Sequence, residues 1–155
     1  MTKTSLEDVL LASSTEVLET MFFADAMTPE APQPEHTDAV ACVLLCTGAQ
    51  EGTFSVAIDR AALVSLSEAF YGDDGPPSAI KELELLCELT NMLAGSTLSA
   101  YAPEKYCPLS SPRLCDLAQH LKTAESIQPG AQRTTIYLDI DGGLLSVSTC
   151  LKVAA

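Results

Sequence analysis

SAIKELELLCELTNMLAGSTLSAY, residues 78–101, is the stretch from which the rest of the chain is read. Ser78 comes after Pro76 and Pro77 and is a good N-cap, its hydroxyl placed to accept a backbone N–H of the first turn. No proline or β-branched run interrupts the chain between Ser78 and Ala102-Pro103, so the pattern predicts one long helix over 78–101. At about 100° per residue, Lys81, Glu84, Glu88, Asn91, Gly95 and Ser99 share one strip roughly 80° wide. Leu85, Leu89, Met92 and Leu93 flank it on one side, and Leu83, Cys87, Ala94 and Leu98 on the other. Most soluble helices carry a narrow apolar stripe on a polar cylinder. This helix is expected to be buried on most sides, with a single polar window.

Inside the window, Glu88 and Asn91 stand three positions apart, a spacing that sets their Cβ atoms about 5–6 Å from one another. An ionised carboxylate only accepts hydrogen bonds, whereas a carboxamide both donates and accepts. Together they can hold a partner's lysine and orient a water. Gly95, one turn further, removes side-chain bulk where another backbone would approach. The same pattern also suits a plain solvated face that happens to include a glycine, and the residues alone leave both readings open.

Composition bounds the rest. A chain of 155 residues with 47% apolar content supports one compact domain, 1–155, with a substantial core. A net charge of −13 repels phosphate backbones and acidic lipid, so neither nucleic acid nor membrane is an expected partner. The longest apolar run, 39–46, is far short of the ~20 residues a bilayer span needs. Near the N-terminus Glu7 and Asp8 stand where a signal core would be, and a cytoplasmic location is expected. The six cysteines show no C-x-x-C and no metal-type spacing with His36 or His120; they are expected to be reduced, buried thiols. His36 sits in a proline-rich stretch and His120 beside Lys122, so both are expected at the surface.

From the start, residues 4–27 read as a first long helix, with Thr4-x-x-Glu7 and Ser5-x-x-Asp8 as alternative caps. Its end, TEVLETMFF, is apolar nearly all round and is expected to be clamped between other elements. After an irregular proline-rich loop over 28–38, the run 39–46 reads as a central strand and 53–59 as a half-buried one. A short helix over 59–71 stops at Gly72, and one irregular or edge strand is expected within 106–117. Residues 133–151 alternate on either side of Asp141-Gly142, the pattern of a β-hairpin. The order is therefore α-β-β-α-α-β-β-β, an α+β domain.

ELTNMLAGS, with Glu84 one turn before it and Pro112 in LSSPRL after it, resembles the signature of the CheC/CheX family of chemotaxis phosphatases. EVLETMFF in the first helix is similar to the first helix of CheX-type members. The chain departs from the family in having Glu84 where Asp or Ser is commoner, and in a slightly short spacing from Asn91 to Pro112. The resemblance implies two long helices packed on a largely antiparallel sheet. It implies an enzyme that dephosphorylates the phosphoaspartate of a response-regulator receiver domain such as CheY. Glu88 would grip the receiver's lysine and Asn91 would orient the attacking water, with Glu84, Met92, Gly95 and Ser99 bordering the partner. No cofactor of its own is implied, since the Mg²⁺ belongs to the receiver.

CheC-type members carry the motif twice. Here the first helix has Glu16, but Glu19 stands where a second asparagine would be. A carboxylate there repels phosphate oxygens and cannot donate an N–H, so one site per chain is expected. CheX-type members also imply a homodimer. Tyr137, Leu144 and Cys150, on the hairpin face opposite its core-facing residues, add a reason to expect one, because exposed strands invite pairing. Two other readings remain: a non-catalytic receiver-binding module using the same helix, and a thiol or metal enzyme built on the cysteines.

Overall fold

The computed structural model describes residues 5–32, 34–72, 78–118, 120–121, 131–140 and 142–153. Its elements are α1 (Leu6–Met21), β1 (Ala39–Cys46), β2 (Gln50–Asp59), α2 (Arg60–Tyr71), α3 (Ala79–Tyr101), β3 (Arg113–Cys115), β4 (Gln132–Ile140) and β5 (Gly143–Val153). That is the order read from the sequence, and the short helix α2 packs on the sheet together with the two longer helices that the resemblance implies. The 73–77 part of the linker, Thr4, Lys122 and Asp141 lie outside the described residues, and with them one of the two alternative caps and half of the Asp-Gly turn. Ser5 is the N-cap of α1, its Oγ accepting the Asp8 N–H at 3.1 Å.

The five strands form one sheet in the order β3-β1-β2-β5-β4, with every pair antiparallel. One face, carrying Cys42, Leu44, Phe54, Val56, Ile58, Leu145 and Val147, is buried beneath the helices. α3 lies against β1, β2 and β3, α1 against β4, and α2 against β2 and β5, while α1 and α3 pack on each other. Among the described residues no helix is long and apolar enough to cross a membrane.

Two expectations need correction. The first helix ends at Met21, not at residue 27. Phe23 takes a left-handed backbone (φ 55), and the Phe22 and Ala24 N–H groups both donate to the Leu18 carbonyl, which closes the helix. The chain then runs to the outer edge of β4, where Met27 and Asp139 exchange backbone hydrogen bonds of 3.0 and 2.7 Å. Of the large residues at this end, Val17, Leu18 and Phe22 are clamped in the core, whereas Met21 and Phe23 are exposed, Phe23 by 80%. The hairpin also differs. β5 lies between β2 and β4, and Leu144 and Cys150 are buried within the single chain. The exposed apolar hairpin face from which a homodimer was expected is therefore absent at these two residues.

The histidines are not surface residues either. On the sheet face opposite the helices, Asp59 Oδ1 lies 2.9 Å from His36 Nδ1, His36 Nε2 is 2.7 Å from Ser146 Oγ, and His120 Nε2 is 3.0 Å from the same Oγ. The carboxylate also accepts the Thr37 N–H at Oδ1 and the Leu144 N–H at Oδ2, each at 2.9 Å. The chemistry of these partners assigns the protons. Asp59 only accepts, so His36 donates from Nδ1 and receives the Ser146 hydroxyl at Nε2. Ser146 Oγ then accepts from the Nε2–H of His120. The network ties the proline-rich loop to β2 and β5, which is why the His36 side chain is buried although its neighbours are polar.

Burial, and then the nearby His36, lowers the pKa of His120 from 6.5 to about 4. The unfolded chain takes up this proton near pH 6.5 and the folded chain does not until near pH 4, so stability is full above that window and is lost as pH falls through it. His120 should account for about 2 kcal/mol of the stability lost between pH 7 and pH 5. Urea unfolding of the wild-type chain and of His120→Gln, which offers a non-titrating amide donor, checks this. Parallel pH dependences would contradict it.

Candidate functional site

α3 begins at Ser78, whose Oγ accepts the Lys81 N–H at 3.2 Å, and runs unbroken to Tyr101 as its periodicity predicts. Leu85, Leu86, Leu89, Thr90, Leu93, Ala94, Thr97 and Leu98 are buried. Thr90, between the two window residues, turns inward and donates its hydroxyl to the Leu86 carbonyl at 2.8 Å, so its polar atom is satisfied within the core. With that face locked, the opposite strip stays in solvent. Lys81, Glu84, Glu88, Asn91 and Ser99 are exposed, and Gly95 is half-buried between them. Met92 differs from its neighbours in the expected set: it is half-buried and packs on the core.

Among the described residues, Glu84, Glu88 and Asn91 make no side-chain hydrogen bond or ion pair with the rest of the chain. Their polar groups are free to meet something else. A Cβ added at Gly95 would meet nothing within 4 Å, so the glycine is not required by packing inside this chain. Beyond it lies a hollow of about 200 Å³ lined by Gly95, Leu98, Ser99, Lys105 and Cys107. It brings Gly95 and Ser99 together just past Asn91.

One residue near the window escaped the sequence reading. Tyr71 ends α2 and hydrogen-bonds from its phenol to the Lys81 carbonyl at 3.2 Å. Partial desolvation, and then the charges of Glu84 and Glu88, push its pKa up, which places the phenol near both carboxylates. Its position in the short helix holds no local signal of this. Glu16 and Glu19 on α1 are exposed, as expected.

The cysteines present no activated nucleophile at the positions where the chemistry is resolved. Burial pushes Cys42 and Cys46 up to about 12, and raises Cys115 as well. Cys42 Sγ lies 3.7 Å from Cys87 Sγ, and no disulfide joins any of the six. Among the described residues no group of three His, Cys, Asp or Glu side chains is arranged to hold a metal ion.

The helix-covered antiparallel sheet of this chain has the fold of CheX and CheC-like chemotaxis proteins. A CheX from Desulfovibrio desulfuricans superposes with a TM-score of 0.72 at 19% identity, over 95% of this chain and 99% of that one. CheX from Vibrio vulnificus gives 0.70 at 16% identity, over 98% and 99%. A third, from Borrelia burgdorferi, was solved as a CheX-CheY-BeF₃-Mg²⁺ complex and gives 0.69 at 14% identity, over 96% and 98%. No family model and no curated protein matches the chain by sequence.

An open Cβ position inside a helix makes one outcome definite. Gly95→Ala should stabilise the fold by up to about 1 kcal/mol, because alanine removes backbone freedom from the unfolded chain without a clash. Thermal melting would show a raised midpoint, and a lowered one would mean that the glycine serves the isolated fold.

Proposed function

We propose that this chain is a phosphatase for the phosphoaspartate of a CheY-like receiver domain, with its active surface at Glu88 and Asn91. The observation that carries the reading is the pair itself. A carboxylate and a carboxamide stand side by side on a helix whose rotation is fixed by its buried face, both exposed and neither engaged within the described chain. The shared fold with a CheX solved together with CheY, BeF₃ and Mg²⁺ supports the choice of partner, BeF₃ being a mimic of a phosphoryl group.

Few groups are needed for this reaction. An acyl phosphate is already activated, and the receiver holds the Mg²⁺ that offsets charge on the phosphoryl oxygens. The remaining task is to set one water in line with phosphorus, which is a matter of position. Glu88 fixes the register of the two proteins by accepting the receiver's lysine ammonium. Asn91, one turn along the same strip, enters beside the phosphoryl group. Its carboxamide oxygen accepts a hydrogen bond from the attacking water, and its NH₂ donates towards the phosphoryl oxygens. Gly95 and Ser99 leave room for the receiver backbone to approach, and Glu84 adds a second negative group at the lysine end. A lone carboxylate at the Asn91 position would fail for the reason Glu19 does on α1.

Two variants separate these roles. Asn91→Ala should lower kcat by ~10²-fold while binding and melting temperature hold, since the side chain is exposed. Glu88→Ala should raise KM instead, and the effect should vanish when the receiver's lysine is replaced too. Unchanged turnover in Asn91→Ala would sink the mechanism; additive effects of the Glu88 and lysine changes would remove the proposed contact.

A further inference from the structure

Lys81 breaks two local rules. It is the third helical residue of α3, counted from the Ser78 cap, and a helix N-terminus favours carboxylates over cations. It also lies on the same strip as Glu84, three residues on, at the spacing where opposite charges pair. Yet no ion pair joins them among the described residues. The Lys81 Nζ sits over the ring of Tyr71 instead, 5.2 Å from its centroid. That ring is itself held by two contacts, one of them backed by the core. Its hydroxyl donates to the Lys81 carbonyl at 3.2 Å, Phe70 meets it edge-on at 5.2 Å, and Phe70 in turn stacks on the buried Phe22 at 5.4 Å. A cation on an aromatic face and an exposed lysine–glutamate pair are of comparable strength, so the presence of the ring decides between them.

We infer that Tyr71 is a positioning residue of the polar window: by holding Lys81 on its ring it keeps Glu84 and Glu88 free of an internal counter-charge and open to an ammonium group of the partner. This rests on the receiver-binding reading of Glu88. Without the ring, the Lys81 ammonium swings to Glu84. It then competes with the incoming lysine and repels it. The chemistry at Asn91, more than two turns away on the same helix, is left alone, so the effect falls on complex formation and not on the turnover of the bound receiver.

Three variants and one partner-free measurement test this. Tyr71→Leu should raise KM for the phosphorylated receiver by roughly three- to tenfold, with kcat within about twofold. Tyr71→Phe keeps the aromatic face and should behave as wild type. Tyr71→Leu with Lys81→Gln should return KM to the wild-type value, because the displaced cation is gone. A double variant that keeps the raised KM, or a Tyr71→Leu defect that appears in kcat, would overturn the inference. Proton NMR of the chain alone should find the Lys81 Cε protons shifted upfield by the ring, in wild type and Tyr71→Phe alike, and random-coil shifts there would overturn it independently of any variant's folding. A wild-type chain that shows the upfield shift but neither binds nor hydrolyses a receiver would remove the underlying reading, and with it the purpose assigned to Tyr71. An active wild type with an unrepaired double variant removes the inference alone.

Discussion

Burial of Leu86, Leu89 and Leu93 beneath α3 fixes the rotation of that helix about its own axis, and the orientation of every window residue depends on it. Each such leucine contributes about 1.5–3 kcal/mol when fully removed from water. A slip of the helix by one residue would turn it by about 100°. That would carry a glutamate towards the sheet and a leucine into solvent, two costs in the same direction. Glu88 and Asn91 are thus held outward by side chains buried on the other faces of the helix. Under the proposed function, a helix fixed in this way lets so small a set of groups serve a positional task, since the pair needs no loop to order on binding.

The two faces of the sheet are used differently. Beneath the helices the strands present an almost wholly apolar surface, and that surface supports the site. The other face is mixed, carrying Ser55, Ser146, Ser148 and Thr135 beside the buried Ala57, Leu144 and Cys150, with the Thr135 and Ser148 hydroxyls 3.0 Å apart. Here Asp59, His36 and His120 converge on Ser146. Asp59 precedes α2 as its N-cap, yet its side chain makes no cap bond and turns instead to the loop and to β5. The network lies across the sheet from α3. It stabilises the scaffold while leaving the window's electrostatics to Tyr71, Lys81 and the two carboxylates.

The sequence disclosed whatever local periodicity controls. α3 runs as read because its cap, its unbroken helical spacing and Ala102-Pro103 all lie within or beside the stretch itself. The strand order along the chain was legible for the same reason, alternation being a property of each strand alone. The end of α1 was not. Val17 to Phe23 is a good helical pattern, and only the pairing of Met27 with Asp139 on a distant strand shows why the chain must leave the helix early. His36 reads as a loop residue until Asp59 and Ser146 are brought to it from β2 and β5. Leu144 and Cys150 looked exposed because alternation tells which face a residue is on and not what covers that face. The window was legible as a strip of residue types; that its carboxylates stand without a counter-charge among the described residues was not, since the tyrosine that takes Lys81 belongs to another helix.

The central claim is catalysis, as distinct from docking on a receiver, and turnover at substoichiometric concentration separates the two. A cognate receiver would be phosphorylated with a small phosphodonor, freed of the excess, and monitored for inorganic phosphate release with the chain present at about one part in fifty. A catalyst releases many equivalents of phosphate per chain, and the initial rate rises in proportion to the chain added. A release rate equal to that of the receiver alone, or one that changes only when the chain approaches equimolar amounts, would contradict the account.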